Sequence, residues 1–250
     1  MNNSGLKKLY DIIYKDGSKK FFTFSNINEA KLIMSFMPTW EGLDVLEIGC
    51  GEGRLATALA TIEGANVWAI DYSEEAISIA GLSDNPRFKC VDYQDINRTF
   101  DVVVMQGVLE HMDEPFVTLK HILDNNVRTG GTLITSSPSF LNPRGYVWMT
   151  LNLLFNVPMT LSDLHFLCPF DFEEFCGVHD LKLEIKSTDH DWGSGDRLIT
   201  DFEKRLPDTL RRAGMDDSKV ERLLVWLERA GSYFNHDEYS GVNVAYKITK

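Results

Sequence analysis

The stretch VLEIGCGEGRLA, residues 45–56, places an apolar run directly before three glycines on alternate positions. A helical pattern follows, so the stretch predicts a strand, a tight turn and a helix in succession. Glycine tolerates positive φ and lets a ligand approach the backbone, and N–H groups at a helix N-terminus point outward. The sequence therefore predicts a ligand-binding turn at the end of a buried strand; a tight turn without a ligand is the alternative.

Two residues of this stretch narrow the chemistry of the ligand. A dinucleotide-binding turn has glycine at the sixth position of G-x-G-x-x-G, where this chain has Arg54, and the Gly-Lys-Ser/Thr of a phosphate loop does not follow. Glu47 lies inside the apolar run, and its carboxylate would repel a pyrophosphate but attract an ammonium group. Nicotinamide dinucleotides and nucleoside triphosphates are therefore disfavoured.

Strand-like and helix-like segments alternate through the first half of the chain. Strands with apolar residues on both faces, separated by helices, indicate a parallel sheet covered on both sides, so we predict an α/β, doubly wound fold. The predicted strands are residues 44–48, 66–70, 87–90, 101–105 and 132–136, and the predicted helices are residues 53–62, 74–80 and 115–123.

The rest of the chain is divided by the same patterns. Residues 1–40 are predicted to form an N-terminal helical segment, with a helix over 25–37 capped by Ser25. Residues 41–140 form the predicted cofactor-binding core. Residues 141–250 form the substrate-side half of the same domain, with lid-like insertions at 141–165 and 190–240. In this half we expect a helix with a capping box of Asp171 and Glu174, amphipathic helices over 200–212 and 216–231, and a last strand in GVNVAYKIT, residues 241–249.

Composition and charge exclude several classes of protein. The 250 residues carry 25 Lys and Arg against 37 Asp and Glu, a formal net charge of −12, so a nucleic-acid partner is disfavoured. The four cysteines are widely spaced, as expected of reduced thiols. The N-terminus has no signal-like apolar region, and no stretch is long enough to span a membrane. We expect a soluble, cytoplasmic protein.

Four motifs follow one another along the chain: VLEIGCGEG (45–53), VWAIDYSEEAI (67–77), KCVDYQDI (89–96) and FDVVVMQGVLEHMDEP (100–115). In this order they resemble the motifs of the class I S-adenosylmethionine-dependent methyltransferases. The resemblance implies a Rossmann-like methyltransferase fold with a mostly parallel seven-stranded sheet and an antiparallel last strand. About fifty residues lie between the last two strands, where simple family members have a tight hairpin, so we expect a helical insertion there.

The resemblance also implies S-adenosylmethionine as cofactor and a set of residues that bind it. Asp71 would accept hydrogen bonds from the ribose hydroxyls, Tyr72 would line the adenine, Asp92 would accept from the adenine amine, and Tyr93 would flank the ring. An ordinary helix cap at Asp71 and a loop-shaping role for Asp92 are the structural alternatives. The methionine end and the mouth of the cleft would be formed by Glu47, Gly49, Cys50, Gly51, Gly53 and Gln106.

Two histidines are candidates for a catalytic base. His165 lies where the chain returns to the core, and His111 lies just past the fourth strand; His111 has the alternative of a hydrogen bond to the following helix. His165 and Cys168, with Cys176 and His179, imitate zinc-ligand spacing, but Pro169 and the intervening helix separate the pairs awkwardly, so we predict no metal site.

We expect a methyltransferase acting on an O or N atom of a small-molecule acceptor, since family members commonly have such acceptors. A methyltransferase of proteins or other macromolecules, and a non-catalytic binding or scaffold module of the same fold, are the alternatives. The aromatic and aliphatic block over residues 142–159 is a lid, a dimer patch or core; a homodimer is left open.

Overall fold

The structure is a computed structural model that describes residues 11–12, 27–157, 164–190, 196–231, 233–234 and 237–250. Its described strands are β1 Asp44–Ile48, β2 Asn66–Asp71, β3 Arg87–Cys90, β4 Phe100–Gln106, β5 Val127–Pro138, β6 Lys182–Thr188 and β7 Asn243–Thr249. Its described helices are α1 Ile27–Met34, α2 Arg54–Thr61, α3 Glu74–Ala80, α4 Pro115–Asn126, α5 Pro143–Phe155, α6 Pro169–Val178, α7 Asp196–Arg212 and α8 Val220–Gly231.

The strands form one seven-stranded sheet in the order β3-β2-β1-β4-β5-β7-β6. Strands β1 to β5 pair in parallel, and β7 is antiparallel to both of its neighbours. The predicted doubly wound fold with an antiparallel last strand and helices inserted before it is confirmed. From β1 the chain adds β2 and β3 on one side, and it then adds β4 and β5 on the other side. The switch point therefore lies between β1 and β4, and such a point opens a crevice at the carboxyl ends of the strands.

Alternation along each strand sends side chains to two covered faces of the sheet. On β1, Leu46 and Ile48 join the core cluster that contains side chains of α4 and α6, whereas Val45 joins the cluster on the α1 and α2 side. Glu47 has the parity of Val45 and therefore lies on the α1 and α2 side. This face also receives Val104, which is paired with Glu47 in register.

The helices α5, α7 and α8 share a third apolar cluster. Trp148 of α5 is almost fully buried there, and its Nε1–H donates to Oδ2 of Asp201 on α7 at 3.0 Å. The C-terminal end of α5 exposes Leu153, Leu154 and Phe155. The block over residues 142–159 is thus core around Trp148 and exposed apolar surface at the end of the helix, while residues 158–159 lie outside the described part.

Several predicted boundaries differ from those in the structure. The N-cap of α6 is Cys168, whose backbone N–H donates to Asp171 at 2.7 Å, so the predicted capping box of Asp171 and Glu174 is wrong. Asp171 is the third helical residue because Pro169 already occupies the first turn. Helix α1 begins at Ile27, and Ser25 lies outside the described residues.

Several elements extend beyond their predicted bounds: α7 begins four residues earlier than predicted, β2 and β4 are longer by one residue at one or both ends, and β5 and α4 are also longer, whereas α8 begins later than predicted. Strand β5 runs over Val127–Pro138 because β4 and β7 both pair with it. Helix α4 continues to Asn126, whose amide donates to the carbonyl oxygens of Ile96 and Arg98. None of the described helices combines the length and the apolarity needed to cross a membrane.

Candidate functional site

The glycine turn connects β1 to α2 in an unusual backbone conformation. Gly49, Gly51 and Gly53 all have positive φ, of 72°, 52° and 76°. The turn is tied to β2, because the N–H groups of Gly49 and Cys50 donate to the carbonyl oxygen of Ile70 at 2.8 and 3.0 Å. The turn therefore lies at the carboxyl edge of the sheet, next to the switch point.

Packing against the rest of the chain accounts for two of these glycines. A Cβ on Gly49 would lie 2.5 Å from a methyl carbon of Val108, and a Cβ on Gly53 would lie 2.4 Å from the ring of Phe88. These two positions need glycine whether or not a ligand binds. Gly51 is different in kind: its positive φ favours glycine, and its N–H donates to Oδ2 of Asp71 at 3.0 Å.

Glu47 is a buried carboxylate beside the turn. It accepts a hydrogen bond from the backbone N–H of Ala56 in the first turn of α2, while its Oε2 atom is buried and has no hydrogen-bond partner among the described residues. Burial raises its pKa to about 8, and the nearby charge of Asp71 adds to this rise. A buried carboxylate ionises readily only beside a cation, so this position suits a ligand ammonium group.

Asp71 holds the end of β2 against the glycine turn. Its Oδ1 accepts from the N–H of Ser73 at 2.9 Å and its Oδ2 accepts from Gly51. Burial raises its pKa, these two hydrogen bonds oppose the rise, and the charge of Asp11 adds to it. Ser73 is the N-cap of α3 and its hydroxyl also donates to Asp11 at 2.5 Å. Asp71 is therefore not itself the helix cap, and each of its oxygens keeps a lone pair for another donor.

The other predicted cofactor residues lie at the same edge in different environments. Tyr72 is half-buried, and burial raises the pKa of its hydroxyl. Cys50 is buried, and burial raises the pKa of its thiol. Asp92 is exposed and caps a short 3-10 turn through the N–H of Gln94. Tyr93 packs edge-on against His121 of α4, so the adenine contact implied for Tyr93 stays a prediction.

Gln106 ends β4 and contacts a residue that the sequence analysis missed. Its Nε2 donates to Oε2 of Glu29 on α1 at 3.1 Å. Glu29 is buried on the same helix face as Ile33, four residues later. An acidic residue at a core-facing helical position is the one sequence signal that would have identified it.

The two candidate histidines lie in adjacent segments. His111 closes a 3-10 turn over Leu109–His111 after β4, and the backbone N–H of His165 donates to the carbonyl oxygen of Glu110 at 3.1 Å. The Nε2 atom of His165 lies 3.2 Å from the carbonyl oxygen of Asp113, and the side chain lines an open cavity of about 470 Å³. Their catalytic roles stay predictions.

The residues with zinc-like spacing are placed in separate surroundings. Cys176 is buried in the core on the α4 and α6 side, whereas His179 is exposed at the end of α6 and packs against Phe175. Among the residues that the structure describes, no three His, Cys, Asp or Glu side chains group together as a metal site.

S-adenosylmethionine fits this arrangement. Its ammonium group matches the unpartnered oxygen of Glu47, and its ribose hydroxyls match the remaining lone pairs of Asp71. Gly51 joins the two positions, because its N–H binds Asp71 and it lies in the turn that follows Glu47. The arrangement can therefore hold an amino-acid group and a nucleoside at neighbouring points of one sheet edge.

Comparisons with known proteins agree with the fold and the motifs. A family model described as a methyltransferase domain matches residues 24–171. The ubiquinone biosynthesis O-methyltransferase of Pseudomonas aeruginosa (strain UCBPP-PA14) is 31% identical over 56% of this chain and 61% of its own length. The protein of the same name from Burkholderia multivorans is 27% identical over 83% of this chain and 96% of its own length. The chain thus spans less than two thirds of the first of these relatives.

A solved structure extends the comparison to the whole fold. It is described as a complex between the Haloferax volcanii Trm112 methyltransferase activator and "the putative methyltransferase"; the similarity has a TM-score of 0.63 at 19% identity and covers 96% of each chain. At this identity the similarity concerns the fold alone. Because the family model covers more than half of the chain, and the sheet order and the antiparallel β7 agree with it, the chain belongs to the methyltransferase domain family and has the Rossmann-like fold of the S-adenosylmethionine-dependent methyltransferases.

Proposed function

We propose that the chain transfers a methyl group from S-adenosylmethionine to an oxygen atom of a small molecule. The observation that carries this proposal is the buried Glu47 carboxylate, with one oxygen unpartnered among the described residues, directly before the glycine turn. Family membership supports the reaction type. The printed names of the relatives, which are ubiquinone biosynthesis O-methyltransferases, support an oxygen acceptor over the nitrogen acceptor that the sequence leaves open.

The cofactor-binding residues hold different parts of the cofactor along the edge of the sheet. S-adenosylmethionine supplies a methyl group bonded to a cationic sulfur. Glu47 and the turn around Gly51 hold the amino-acid end, Asp71 holds the ribose, and Asp92 with Tyr72 receives the adenine. Most of the rate enhancement then comes from alignment, because fixed residues keep the acceptor and the methyl group in one line.

The acceptor side is formed by the segments that follow β4 and β5. We assign it to residues 106–111, to the insertion 141–165 and to the helical region 190–240. The helices α5, α7 and α8 of this region share an apolar cluster, and an apolar enclosure around the acceptor would exclude water from the reacting groups. His165 and His111 are the histidines that the sequence offers as proton acceptors.

The alternative functions differ in the molecule that the chain would bind or methylate. The acidity of the chain disfavours nucleic acid, and an enclosed acceptor side would favour a small molecule over a polymer. The exposed Leu153, Leu154 and Phe155 form the surface that a homodimer would use. A scaffold that has lost its cofactor would have no need for an unpartnered carboxylate at Glu47. A cytoplasmic location accords with the sequence.

The test is calorimetric titration of the full chain with S-adenosylhomocysteine, with NAD as the control ligand. Micromolar binding of S-adenosylhomocysteine alone is expected, because Glu47 suits an ammonium and opposes a pyrophosphate. Binding of NAD alone, or of neither ligand, would contradict the proposal. Acceptors are then screened for methyl transfer, with small phenols and amines compared side by side.

A further inference from the structure

Glu29 is a further buried carboxylate at the carboxyl edge of the sheet, and it lies outside every motif described above. It lies on the first turn of α1 and only 4% of it is exposed. One of its oxygens, Oε2, is held by the amide of Gln106 at 3.1 Å. The other, Oε1, is buried and has no hydrogen-bond partner among the described residues.

The surroundings of Glu29 belong to the proposed acceptor side. Gln106 is the last residue of β4 and is paired in register with Ser136 of β5. The Ser136 hydroxyl faces Glu29 closely enough to lower its pKa, but neither that hydroxyl nor Oε1 makes a well-formed hydrogen bond in the described part of the chain. Two polar groups with unused hydrogen-bonding capacity thus face each other at the ends of adjacent strands.

The position relative to the cofactor site follows from the strand register. Glu47 is paired with Val104, and Gln106 lies two residues further along β4 on the same face. Two residues of a strand span about 7 Å, so Gln106 lies about 7 Å closer to the carboxyl edge than Glu47. Because β4 lies between β1 and β5, Gln106 and the Glu29 carboxylate that it holds also lie on the β5 side of Glu47.

Charged groups around Glu29 do not neutralise it. Asp189, after β6, faces it and is held by the amide of Asn28 at 2.6 Å. Lys186 of β6 and Lys247 of β7 donate instead to carbonyl oxygens at the opposite end of α1. No described Lys or Arg forms an ion pair with Glu29. Burial raises its pKa, the contacts with Gln106 and Ser136 oppose this rise, and the charge of Asp189 adds to it.

A purely structural role explains the hydrogen bond to Oε2 but not the choice of a buried carboxyl group with a second, unpartnered oxygen. The bond from Gln106 would anchor α1 to the sheet, but an uncharged amide would do so without the cost of burying a carboxyl group. A carboxylate with one oxygen fixed and the other unused is oriented for a third group. The remaining partner must donate a hydrogen bond, because Oε1 is an acceptor when the carboxyl is ionised.

We infer that Glu29 is a catalytic residue of the acceptor site, whose Oε1 receives the proton of a phenolic hydroxyl held between Glu29 and Ser136. This inference rests on the proposed function. As the hydroxyl oxygen forms its bond to the methyl carbon, the carbon–sulfur bond breaks with its electron pair remaining on sulfur, and the hydroxyl proton passes to Oε1. Gln106 positions the carboxylate by holding Oε2.

The choice of a phenol follows from the strength of the base. A carboxylate is too weak to take a proton from an aliphatic alcohol, whereas a phenol ionises near pH 10, and a base closer in pKa to its partner transfers the proton more efficiently. A basic amine is disfavoured because two neighbouring carboxylates, Glu29 and Asp189, would keep it as an ammonium group with no free lone pair.

The test follows the ionisation of a bound phenol without turnover. Full-length protein saturated with S-adenosylhomocysteine is titrated with 4-nitrophenol, whose phenolate absorbs visible light, over a range of pH. In the wild type, the negative charge of Glu29 opposes a second negative charge beside it. We therefore expect the apparent ionisation constant of bound 4-nitrophenol to be about tenfold smaller than in Glu29→Gln.

Matched variants identify the cause of any difference. Glu41→Gln makes the same change at an exposed site before β1 and is expected to behave as the wild type. Glu29→Asp retains the charge on a shorter side chain and replaces Glu29→Gln as the test variant if Glu29→Gln does not fold. It is expected to retain part of the difference in the ionisation of bound 4-nitrophenol. Ser136→Ala is expected to weaken 4-nitrophenol binding several-fold.

The outcomes separate the two proposals. If the wild type does not bind S-adenosylhomocysteine, the proposed function fails. If it binds S-adenosylhomocysteine but not millimolar 4-nitrophenol, or if the wild type and the Glu29 variants ionise the probe identically, the role of Glu29 is refuted while the cofactor assignment stands. A shift that disappears in Glu29→Gln, is partly retained in Glu29→Asp and is unchanged in Glu41→Gln supports the inference.

Discussion

Replacing Glu47 by glutamine tests the physical reasoning behind the cofactor site most directly. The folded protein holds the carboxyl proton up to a pKa of about 8, whereas the ordinary value is 4.5. Between these values the unfolded chain binds fewer protons than the folded one, so the free energy of unfolding falls as the pH rises. This contribution to stability is fully present below pH 4.5 and is lost by the time the pH exceeds 8.

The size of the effect follows from the two pKa values. Integrating the difference in bound protons from pH 5.5 to pH 7.5 gives a loss of about 2.5 kcal/mol in the unfolding free energy of the wild type. Glutamine has the same shape and does not ionise, so Glu47→Gln lacks this loss. The variant should therefore gain about 2.5 kcal/mol relative to the wild type over this range, whatever its offset at pH 5.5.

The assay is urea unfolding followed by tryptophan fluorescence at several pH values, with Glu41→Gln as the exposed control. Equal slopes against urea in all variants would show that the same two states are compared. Parallel pH profiles for the wild type and Glu47→Gln would refute the assignment of a raised pKa to Glu47. The control should follow the wild type throughout.

Cofactor binding provides an independent measure of the same carboxyl. An ammonium group next to Glu47 favours its ionised form, so S-adenosylhomocysteine binding at pH 6.5 should release about one proton from Glu47. Calorimetry in two buffers of different ionisation enthalpy measures that proton. In Glu47→Gln the release should be absent and the affinity lower. Equal proton release in both proteins would mean that the ammonium does not contact Glu47.

Four further changes test other parts of the site. Gly51→Val should abolish S-adenosylhomocysteine binding in a folded protein, whereas Gly42→Val, at a similar φ of 74° in open space, should not; equal binding by both would remove the turn from the site. Asp71→Ala should weaken binding by about 1–3 kcal/mol, and unchanged affinity would exclude the ribose contact. His165→Ala should lower turnover at unchanged cofactor affinity by removing a side chain of the proposed acceptor side, and undiminished turnover would exclude His165 from that side. Asp201→Ala should cost about 1–3 kcal/mol of stability through the unsatisfied Trp148 N–H, without loss of cofactor binding.

The sequence by itself determined the sheet and the cofactor edge. Hydrophobic alternation and the glycine turn are local signals, and β1, β3 and α3 have the bounds predicted from them. Glu47 lies in one predicted strand and Asp71 lies at the end of the next. Because parallel strands end at the same edge of a sheet, the order of the segments was sufficient to place both residues near that edge.

Tertiary structure decided what could not be read from neighbouring residues. Gly49 and Gly53 are required by Val108 and Phe88, which lie far along the chain. Glu29 meets Gln106 across 77 residues. Its importance depends on burial and on an unpartnered oxygen, and both are created only when α1 packs against β5, β6 and β7. Residue type predicts a carboxylate, but only the fold determines its neighbours and therefore its chemistry.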